Sequence, residues 1–404
     1  MNSKSHNRQS GEEISIPPNF PKSVPIAEYR TVQLSADLYF AIQELSDDPC
    51  CPNGIFSTAV AIDRTANSSL IRARYEAAER FALAAVHGGH QFVPNSMIDS
   101  FDIFEFPIRL NSPLNGHGRS SDTIFLEFSE TFNMKSKYIA AADVFAPYPI
   151  IDGECCWHPT TNGVAVGRGY ESARFASFCE LLERHSIMKY WHEGGASYLV
   201  GEKEIRDSAT PEAIFLDDLG YELICLEIST INSIFVVLSF AKNKNCNYPF
   251  LVCSAGSAQT LSNAIRKAAQ ETVQTLVACA GQTAEFSRWK DKGSIINSLE
   301  HRMYYYADTT NHDSINEVVA GAMAEALNMS DRPPCTTTFS FDELQQLGIT
   351  AAFVDITPES WNGLLSCVRC YSSTMIPLLV SESMVKKTPS LAAASRFALP
   401  HPFP

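Results

Sequence analysis

Three segments of the sequence place pairs of carboxylate or amide side chains three residues apart. The segments read YEAAERF, CELLERH and RKAAQETVQ, and the pairs are Glu76 with Glu79, Glu180 with Glu183, and Glu271 with Gln274. Residues i and i+3 lie on one face of an α-helix, so each segment would direct two oxygen-bearing groups the same way. Clustered carboxylates raise each other's pKa unless a cation neutralises them, and magnesium prefers such oxygen ligands. The residues therefore indicate a site for magnesium and phosphate.

Basic residues accompany all three pairs. Arg80 and Arg184 directly follow the second glutamate of their segments, and Lys267 precedes Glu271 by four residues. Guanidinium and ammonium groups bind phosphate oxygens. For a single segment, ordinary i,i+3 and i,i+4 pairing on a solvated helix would explain the charges. Three such segments favour convergence on one magnesium–nucleotide site.

Helices must position these side chains, and the hydrophobic pattern predicts three long ones. They cover residues 68–86, 171–193 and 261–280, and strand-like runs cover residues 59–62, 122–128, 222–228, 233–240 and 250–253. Strands interleaved with single long helices indicate an α/β or α+β layered fold. Residues 287–329 have a helical pattern and are expected at the periphery.

The ends of the chain differ from its middle. Residues 1–28 are expected to form a polar tail, and residues 385–404, with prolines at positions 400, 402 and 404, are expected to form an extended tail. One domain of residues 29–384 is expected between them. Near its end, the sequence SFDE at 340–343 has the form of a helix capping box, with Gly348 closing the helix. Strands are expected at 349–356, 364–371 and 375–380.

Composition disfavours several kinds of partner and site. The 404 residues carry a formal net charge of −14, which argues against binding to nucleic acid or an anionic membrane. The apolar runs are too short to span a membrane, and the first residues lack the apolar core of a secretory signal, so a cytoplasmic protein is expected. The CxxC of Cys367 and Cys370 lacks the second ligand pair of a structural zinc site.

The standard nucleotide-binding signatures are absent from the sequence. The stretch NGVAVGRG, from Asn162 to Gly169, precedes the second helix but has neither the lysine nor the serine of a P-loop. It is either a turn into the helix or a loop that contacts phosphate. His185 and His192 lie on one face of that helix, and such a pair is more often structural than functional.

Taken together, the motifs resemble the YcaO family. The segment TNGVAVGRGYESARFASFCELLERHSIMKYW resembles the family signature, in which an SNG-containing turn leads into a helix ending ExxERD. The first helix, with ExxER, and the third, with AIRKxxxExxQ, resemble the other two nucleotide-binding helices of the family in position and order. The sequence SAGS at 254–257 is similar to the family's approach to the third helix. His185 stands where the family commonly has Asp.

The resemblance implies an α+β fold of mixed β-sheets in which three long helices converge on a nucleotide site. It also implies that ATP and Mg²⁺ are bound. The residues that the resemblance assigns to magnesium are Glu76, Glu79, Glu180, Glu183 and Glu271. Those that it assigns to the nucleotide are Arg80, Asn162, Arg184, Lys267 and Gln274.

The Pro-x-Pro-x-Pro ending is similar to that of YcaO proteins that make azoline rings, the cyclodehydratase subunits of thiazole/oxazole-modified microcin synthetases. This implies an ATP-dependent enzyme that converts Cys, Ser or Thr residues of a precursor peptide to thiazoline or oxazoline, with the carboxylate of Pro404 as catalytic base. The implied partners are that peptide, a leader-binding protein resembling ubiquitin-activating enzymes, and an FMN-dependent azoline dehydrogenase. A YcaO enzyme that forms a thioamide or amidine, and a degenerate nucleotide-binding subunit, remain as alternatives.

Overall fold

The computed structural model of the chain describes residues 20–46, 58–84, 90–104, 123–146, 160–335, 338–379, 396–397 and 399–403. Within these residues the α-helices are α1 (Ala66–Leu83), α2 (Ala141–Val144), α3 (Tyr170–His192), α4 (Glu202–Asp218), α5 (Leu261–Gly281), α6 (Thr283–Asp291), α7 (Leu299–Ala307), α8 (His312–Glu325) and α9 (Glu343–Leu347). The three predicted long helices are therefore confirmed as α1, α3 and α5. No helix in the described ranges is both long and apolar enough to cross a membrane.

The strands of the described residues form four sheets, and the fold is α+β. The strands are β1 (Ile26–Ser35), β2 (Leu38–Leu45), β3 (Thr58–Asp63), β4 (Phe92–Pro94), β5 (Ile124–Glu127), β6 (Glu130–Phe132), β7 (Tyr138–Ala140), β8 (Val164–Gly167), β9 (Tyr198–Leu199), β10 (Tyr221–Glu227), β11 (Phe235–Asn243), β12 (Leu251–Ala258), β13 (Leu327–Asn328), β14 (Ala351–Asp355) and β15 (Ser366–Tyr371). The sheet orders are β1-β2-β3, β12-β11-β10-β9-β13, β6-β14-β15-β8 and β4-β5-β7. Named strands pair antiparallel, apart from β13 with β9.

Each glutamate-bearing helix packs on a different sheet and also reaches a neighbouring one. Helix α1 lies on β2 and β3 and contacts β8, α3 lies on β8 and β15 and contacts β12, and α5 lies on β12 and β11 and contacts β3. The largest core cluster surrounds α3, with buried side chains from β10, β11, β12, β14 and β15. Each of the three helices therefore contacts both its own sheet and the sheet that carries another of them.

Two glycines let strands approach these helices closely. A Cβ on Gly167 of β8 would lie 2.5 Å from the backbone nitrogen of Ala173 in α3. A Cβ on Gly256 of β12 would lie 2.4 Å from the backbone nitrogen of Ala268 in α5. Ala173 and Ala268 are fully buried. Ala173 and Ala268, which precede the glutamates on their helices, therefore serve helix–strand packing, and the SAGS sequence at 254–257 is part of β12.

Several sequence-based expectations for individual elements were incomplete or wrong. Strands β1 and β2 and helix α4 were not predicted. Gly348 closes α9 in the left-handed conformation as expected (φ 65°). The predicted capping box is wrong, because the helix is capped at Asp342 without a side-chain hydrogen bond, and the Glu343 carboxylate accepts from the Ser233 hydroxyl at 2.7 Å. Residues 375–379 lie outside any strand, and residue 380 lies outside the described ranges.

Candidate active site

Helix α1 positions the first glutamate pair next to strand β3. Its first turn is fixed by Thr65, whose hydroxyl accepts from the Ser68 backbone N–H at 3.0 Å. The Glu76 carboxylate accepts from the backbone N–H of Val60 at 3.1 Å and pairs with Arg80 at 2.5 Å. Burial raises the pKa of Glu76 despite the opposing charge of Arg80.

Helix α3 carries the second pair, and one arginine serves both glutamates. The Arg184 guanidinium lies 3.4 Å from Glu180 and 3.2 Å from Glu183. These side chains expose only 17%, 22% and 11% of their surface, in the order Arg184, Glu180, Glu183. Burial raises the pKa of Glu180 to about 7, with a further upward contribution from Glu183, while Arg184 opposes the rise.

Helix α5 carries Glu271, Lys267 and Gln274. The cation that pairs with Glu271 is Arg72, which belongs to α1. The Arg72 guanidinium lies 3.8 Å from Glu271 and also donates a hydrogen bond to the Gln270 side chain. Lys267 donates to the Ser257 carbonyl at 3.0 Å. Gln274 is half-buried one turn beyond Glu271. Arg72 was not singled out from the sequence, because it precedes the recognised ExxER motif.

The glutamates of the three helices are close enough for their charges to interact. The pKa of Glu79 is raised well above its usual range, first by burial and then by the charges of Glu180 on α3 and Glu76 on its own helix. Burial also raises the pKa of Glu271, with contributions from Glu76 on α1 and Glu183 on α3. The five predicted metal-binding glutamates therefore belong to one electrostatic cluster.

The turn before α3 is held by an arginine that the sequence did not reveal as a site residue. Arg369 on β15 is buried and donates to the Thr160 carbonyl at 2.7 Å. Its charge also lowers the pKa of Glu180, so it lies near the glutamate cluster. The side-chain nitrogen of Asn162 is buried with no hydrogen-bond partner in the described part of the chain. Among the predicted nucleotide-binding residues in the described ranges, Arg80 and Arg184 pair with the glutamates, whereas Asn162, Lys267 and Gln274 form no hydrogen bond or ion pair with them.

Two other sequence features have structural roles. His185 accepts a hydrogen bond from the backbone N–H of Ile376 at 3.0 Å, and burial lowers its pKa to about 4, which keeps it neutral. Cys367 and Cys370 are buried free thiols on β15.

Among the described residues, no group of three or more His, Cys, Asp or Glu side chains could hold a metal ion as placed.

Pro404, the predicted catalytic residue, lies outside the described residues. Residue 403 just before it is described, and the Phe403 ring packs on the Arg184 guanidinium with 4.2 Å between the ring centre and Cζ. Phe403 is 7% exposed and His401 is fully buried. Trp191 of α3 donates to the Leu399 carbonyl at 2.9 Å. The described end of the chain is therefore docked along α3.

The donor set suits a hard divalent cation bound to phosphate. Its members are carboxylates, which are preferred magnesium ligands, and their raised pKa values reflect burial and mutual repulsion that a cation would relieve. Two buried donors without a hydrogen-bond partner among the described residues, Asn162 Nδ2 and Arg184 Nε, are suited to donate to phosphate oxygens. Arg72, Arg80 and Arg184 now pair with these carboxylates, so a bound cation would compete with them.

Comparison with known proteins identifies the protein family of the chain. The family model described as YcaO cyclodehydratase, ATP- and Mg²⁺-binding, matches residues 60–375. The chain belongs to the YcaO family. No curated protein matches the chain by sequence.

Three solved structures share the fold at low sequence identity. A heterocyclase in complex with substrate and cofactor is 15% identical with a TM-score of 0.63, and the match covers 94% of this chain and 55% of that one. YcaO from Methanopyrus kandleri, bound with AMPPCP and Mg²⁺, is 15% identical with a TM-score of 0.59, covering 94% and 91%. A chain of the E. coli microcin synthetase McbBCD complex with pro-MccB17 bound is 16% identical with a TM-score of 0.59, covering 86% and 88%. The chain thus spans about half the length of the heterocyclase.

Proposed function

We propose that the protein is an ATP- and Mg²⁺-dependent cyclodehydratase that converts Cys, Ser or Thr residues of a precursor peptide to thiazoline or oxazoline rings. The observation that carries the proposal is the docked end of the chain, where Phe403 lies on the arginine that pairs with Glu180 and Glu183. Family membership supports ATP and magnesium. The docked tail supports ring formation, because Phe403, the residue before the proposed catalytic Pro404, lies on an arginine of the glutamate cluster.

In the proposed reaction, the side-chain sulfur or oxygen of the peptide attacks the preceding backbone carbonyl carbon. The resulting oxyanion attacks the γ-phosphorus of ATP, and ADP leaves. Loss of the amide proton and departure of phosphate then form the C=N bond, so the amide oxygen leaves as part of phosphate. Bound magnesium would neutralise the phosphate charge during this transfer.

The chain's own residues would position the reactants and move protons. Glu76, Glu79, Glu180, Glu183 and Glu271 would hold magnesium. Arg80, Asn162, Arg184, Lys267 and Gln274 would orient the nucleotide, as charge-assisted hydrogen bonds to phosphate do. The terminal carboxylate of Pro404 would accept the proton of the nucleophile or amide, a role that requires it within hydrogen-bond reach of the substrate.

Two partners belong to the proposal as well as the precursor peptide. One is a leader-binding protein resembling ubiquitin-activating enzymes, and the other is an FMN-dependent dehydrogenase that oxidises azolines to azoles. The structure of the McbBCD complex with pro-MccB17 bound supports a multi-subunit assembly, since this chain covers 88% of the matched chain there.

Reconstitution tests the proposal against its alternatives. The chain is combined with Mg²⁺–ATP, a leader-binding partner and a Cys/Ser/Gly-rich precursor peptide encoded beside its gene, without added sulfide or amine. Mass spectrometry should show loss of one water per ring, with ADP formed. A product that requires sulfide would instead identify a thioamide-forming enzyme, and an unmodified peptide with no ADP would identify a degenerate docking subunit.

A further inference from the structure

The end of the chain follows α3 backwards towards the glutamates. The Arg396 backbone N–H donates to the His192 carbonyl at 3.0 Å, at the end of the helix. The next described contact is that of Trp191 with the Leu399 carbonyl. Phe403 then reaches Arg184, two helical turns earlier, or about 12 Å along the axis at the usual rise per residue. The described tail thus connects the end of α3 to the glutamate cluster.

Other contacts anchor the tail before it reaches Arg184. The His401 ring nitrogen Nε2 lies 2.9 Å from the Leu379 carbonyl, and the buried Arg302 of α7 donates to the same carbonyl at 3.1 Å. Tyr306 of α7 donates to the Pro400 carbonyl. The tail is therefore held by several contacts besides that of Phe403 with Arg184.

Arg184 has few other restraints on its position. Its Nε has no hydrogen-bond partner in the described residues, and its two terminal nitrogens share the charges of Glu180 and Glu183. An arginine side chain has several rotatable bonds, so pairing with two carboxylates leaves it more than one arrangement. An aromatic face against a guanidinium both attracts it and restricts it to one plane.

We propose that Phe403 is a positioning residue whose ring restricts the Arg184 guanidinium to one plane and leaves its unpartnered Nε available to phosphate, so that docking of the tail strengthens binding of the nucleotide. The proposal rests on the proposed function, because it assigns the nucleotide to this cluster. By reciprocity, a bound nucleotide strengthens docking of the tail by the same factor. The carboxy terminus then contributes to nucleotide binding as well as to chemistry.

The test measures binding of Mg²⁺–AMPPCP by calorimetry. Phe403→Leu keeps an apolar side chain but removes the aromatic face, and its Kd should rise about 3- to 10-fold, the range expected for one partly buried cation–π contact. Phe403→Tyr, which keeps the face, should stay within about twofold of the wild type.

Two variants provide matched controls. Phe397 is on the same tail with the same 7% exposure, but its described contacts are with Tyr190, Trp191 and Arg396. Phe235 lies 4.2 Å from the Arg332 guanidinium, which pairs with Glu227, and so repeats the ring–arginine–glutamate arrangement elsewhere. Phe397→Leu and Phe235→Leu should leave the Kd unchanged.

The outcomes separate this proposal from the proposed function. An unchanged Kd in Phe403→Leu, or an equal rise in Phe397→Leu, overturns the positioning role while leaving nucleotide binding intact. Wild-type protein that does not bind Mg²⁺–AMPPCP overturns the proposed function and this proposal with it. A second measurement compares the Tm of Phe403→Leu, Arg184→Lys and the double variant without nucleotide. The shifts in Tm of the two single variants should not add up to that of the double variant, and additive shifts would contradict the contact itself.

Discussion

At the level of single residues, Arg184 interacts with glutamates of all three helices of the candidate site. It pairs with both glutamates of α3, and its charge also lowers the pKa of Glu79 on α1 and of Glu271 on α5. Glu79, by contrast, has no ion-pair partner in the described part of the chain, and its pKa is raised by burial and by two neighbouring carboxylates. The cluster is therefore incompletely neutralised by protein cations alone, as a site for a divalent cation would be.

The glutamates should be essential for ATP turnover. Glu180→Gln or Glu271→Gln removes a charge from the magnesium site without changing side-chain size, so ATPase activity should fall by about 10²-fold or more. Glu202→Gln is the control, because Glu202 forms the same i,i+4 pair with Arg206 on an exposed face of α4. Near-normal ATPase and peptide modification in Glu180→Gln would show that the metal assignment is wrong.

Glu79 should destabilise the metal-free fold. Its pKa in the folded chain lies above the ordinary value of 4.5, so the ionised form costs stability once the pH exceeds that value. In EDTA at pH 8, Glu79→Gln should raise the Tm by about 1–3 °C, and the gain should shrink as the pH falls towards 4.5. A Tm equal to or below that of the wild type at pH 8 would contradict the electrostatic account.

At the level of elements, packing on the sheets and docking of the tail organise the site. Gly167 and Gly256 allow β8 and β12 to lie directly on α3 and α5, which brings their glutamates together. The tail adds an element without regular secondary structure, whose carbonyls are bound by Trp191, Tyr306 and Arg302. Changes at the very end of the chain should therefore act on the site directly.

Two changes to the tail should have different effects. Residues appended after Pro404 would displace the terminal carboxylate and lower the cyclisation rate by about 10²–10⁴-fold, the usual range for general acid–base catalysis. Nucleotide binding should survive, because Phe403 is retained. Deletion of Pro402–Pro404 should weaken both cyclisation and nucleotide binding, because Phe403 is lost together with the terminal carboxylate. An unaltered cyclisation rate in a carboxy-terminally tagged enzyme would show that the tail only completes the fold.

The sequence predicted the elements that carry a strong periodic signal and missed those stabilised by long-range contacts. Helices α1, α3 and α5 have regular apolar stripes and were predicted to within a few residues. Strand β1 is mostly exposed and is held by pairing with β2, so its sequence shows little alternation. Arg72 and Arg369 lie outside the recognised motifs, and their partners, Glu271 and Thr160, are distant in sequence, so neither arginine had a signal in the sequence.

At the level of the whole molecule, the four sheets form a scaffold shared with other members of the YcaO family. The match to the M. kandleri structure covers 94% of this chain and 91% of that one, whereas the heterocyclase is nearly twice as long. This chain is thus closer in extent to a YcaO unit than to the longer heterocyclase. In the proposed function, a separate leader-binding subunit recognises the precursor peptide.

The isolated chain should modify peptide slowly and gain activity from that subunit. Adding the leader-binding partner should raise kcat/KM for the precursor by about 10-fold or more, because tethering the leader raises the effective concentration of the core peptide. The same addition should leave modification of a leaderless peptide unchanged. Full-rate, leader-dependent cyclisation by the chain alone would contradict this division of roles.

The most direct measurement of the central claim follows the oxygen of the modified amide. A precursor peptide labelled with ¹⁸O in the backbone carbonyl before the reacting Cys or Ser is incubated with the reconstituted enzyme and Mg²⁺–ATP, without added sulfide or amine. The account predicts that the label appears in inorganic phosphate, one atom per ring, while the mass of the peptide falls by that of one ¹⁸O-labelled water per ring. Release of the label into solvent, or unlabelled phosphate formed while the peptide stays intact, would contradict ATP-dependent cyclodehydration.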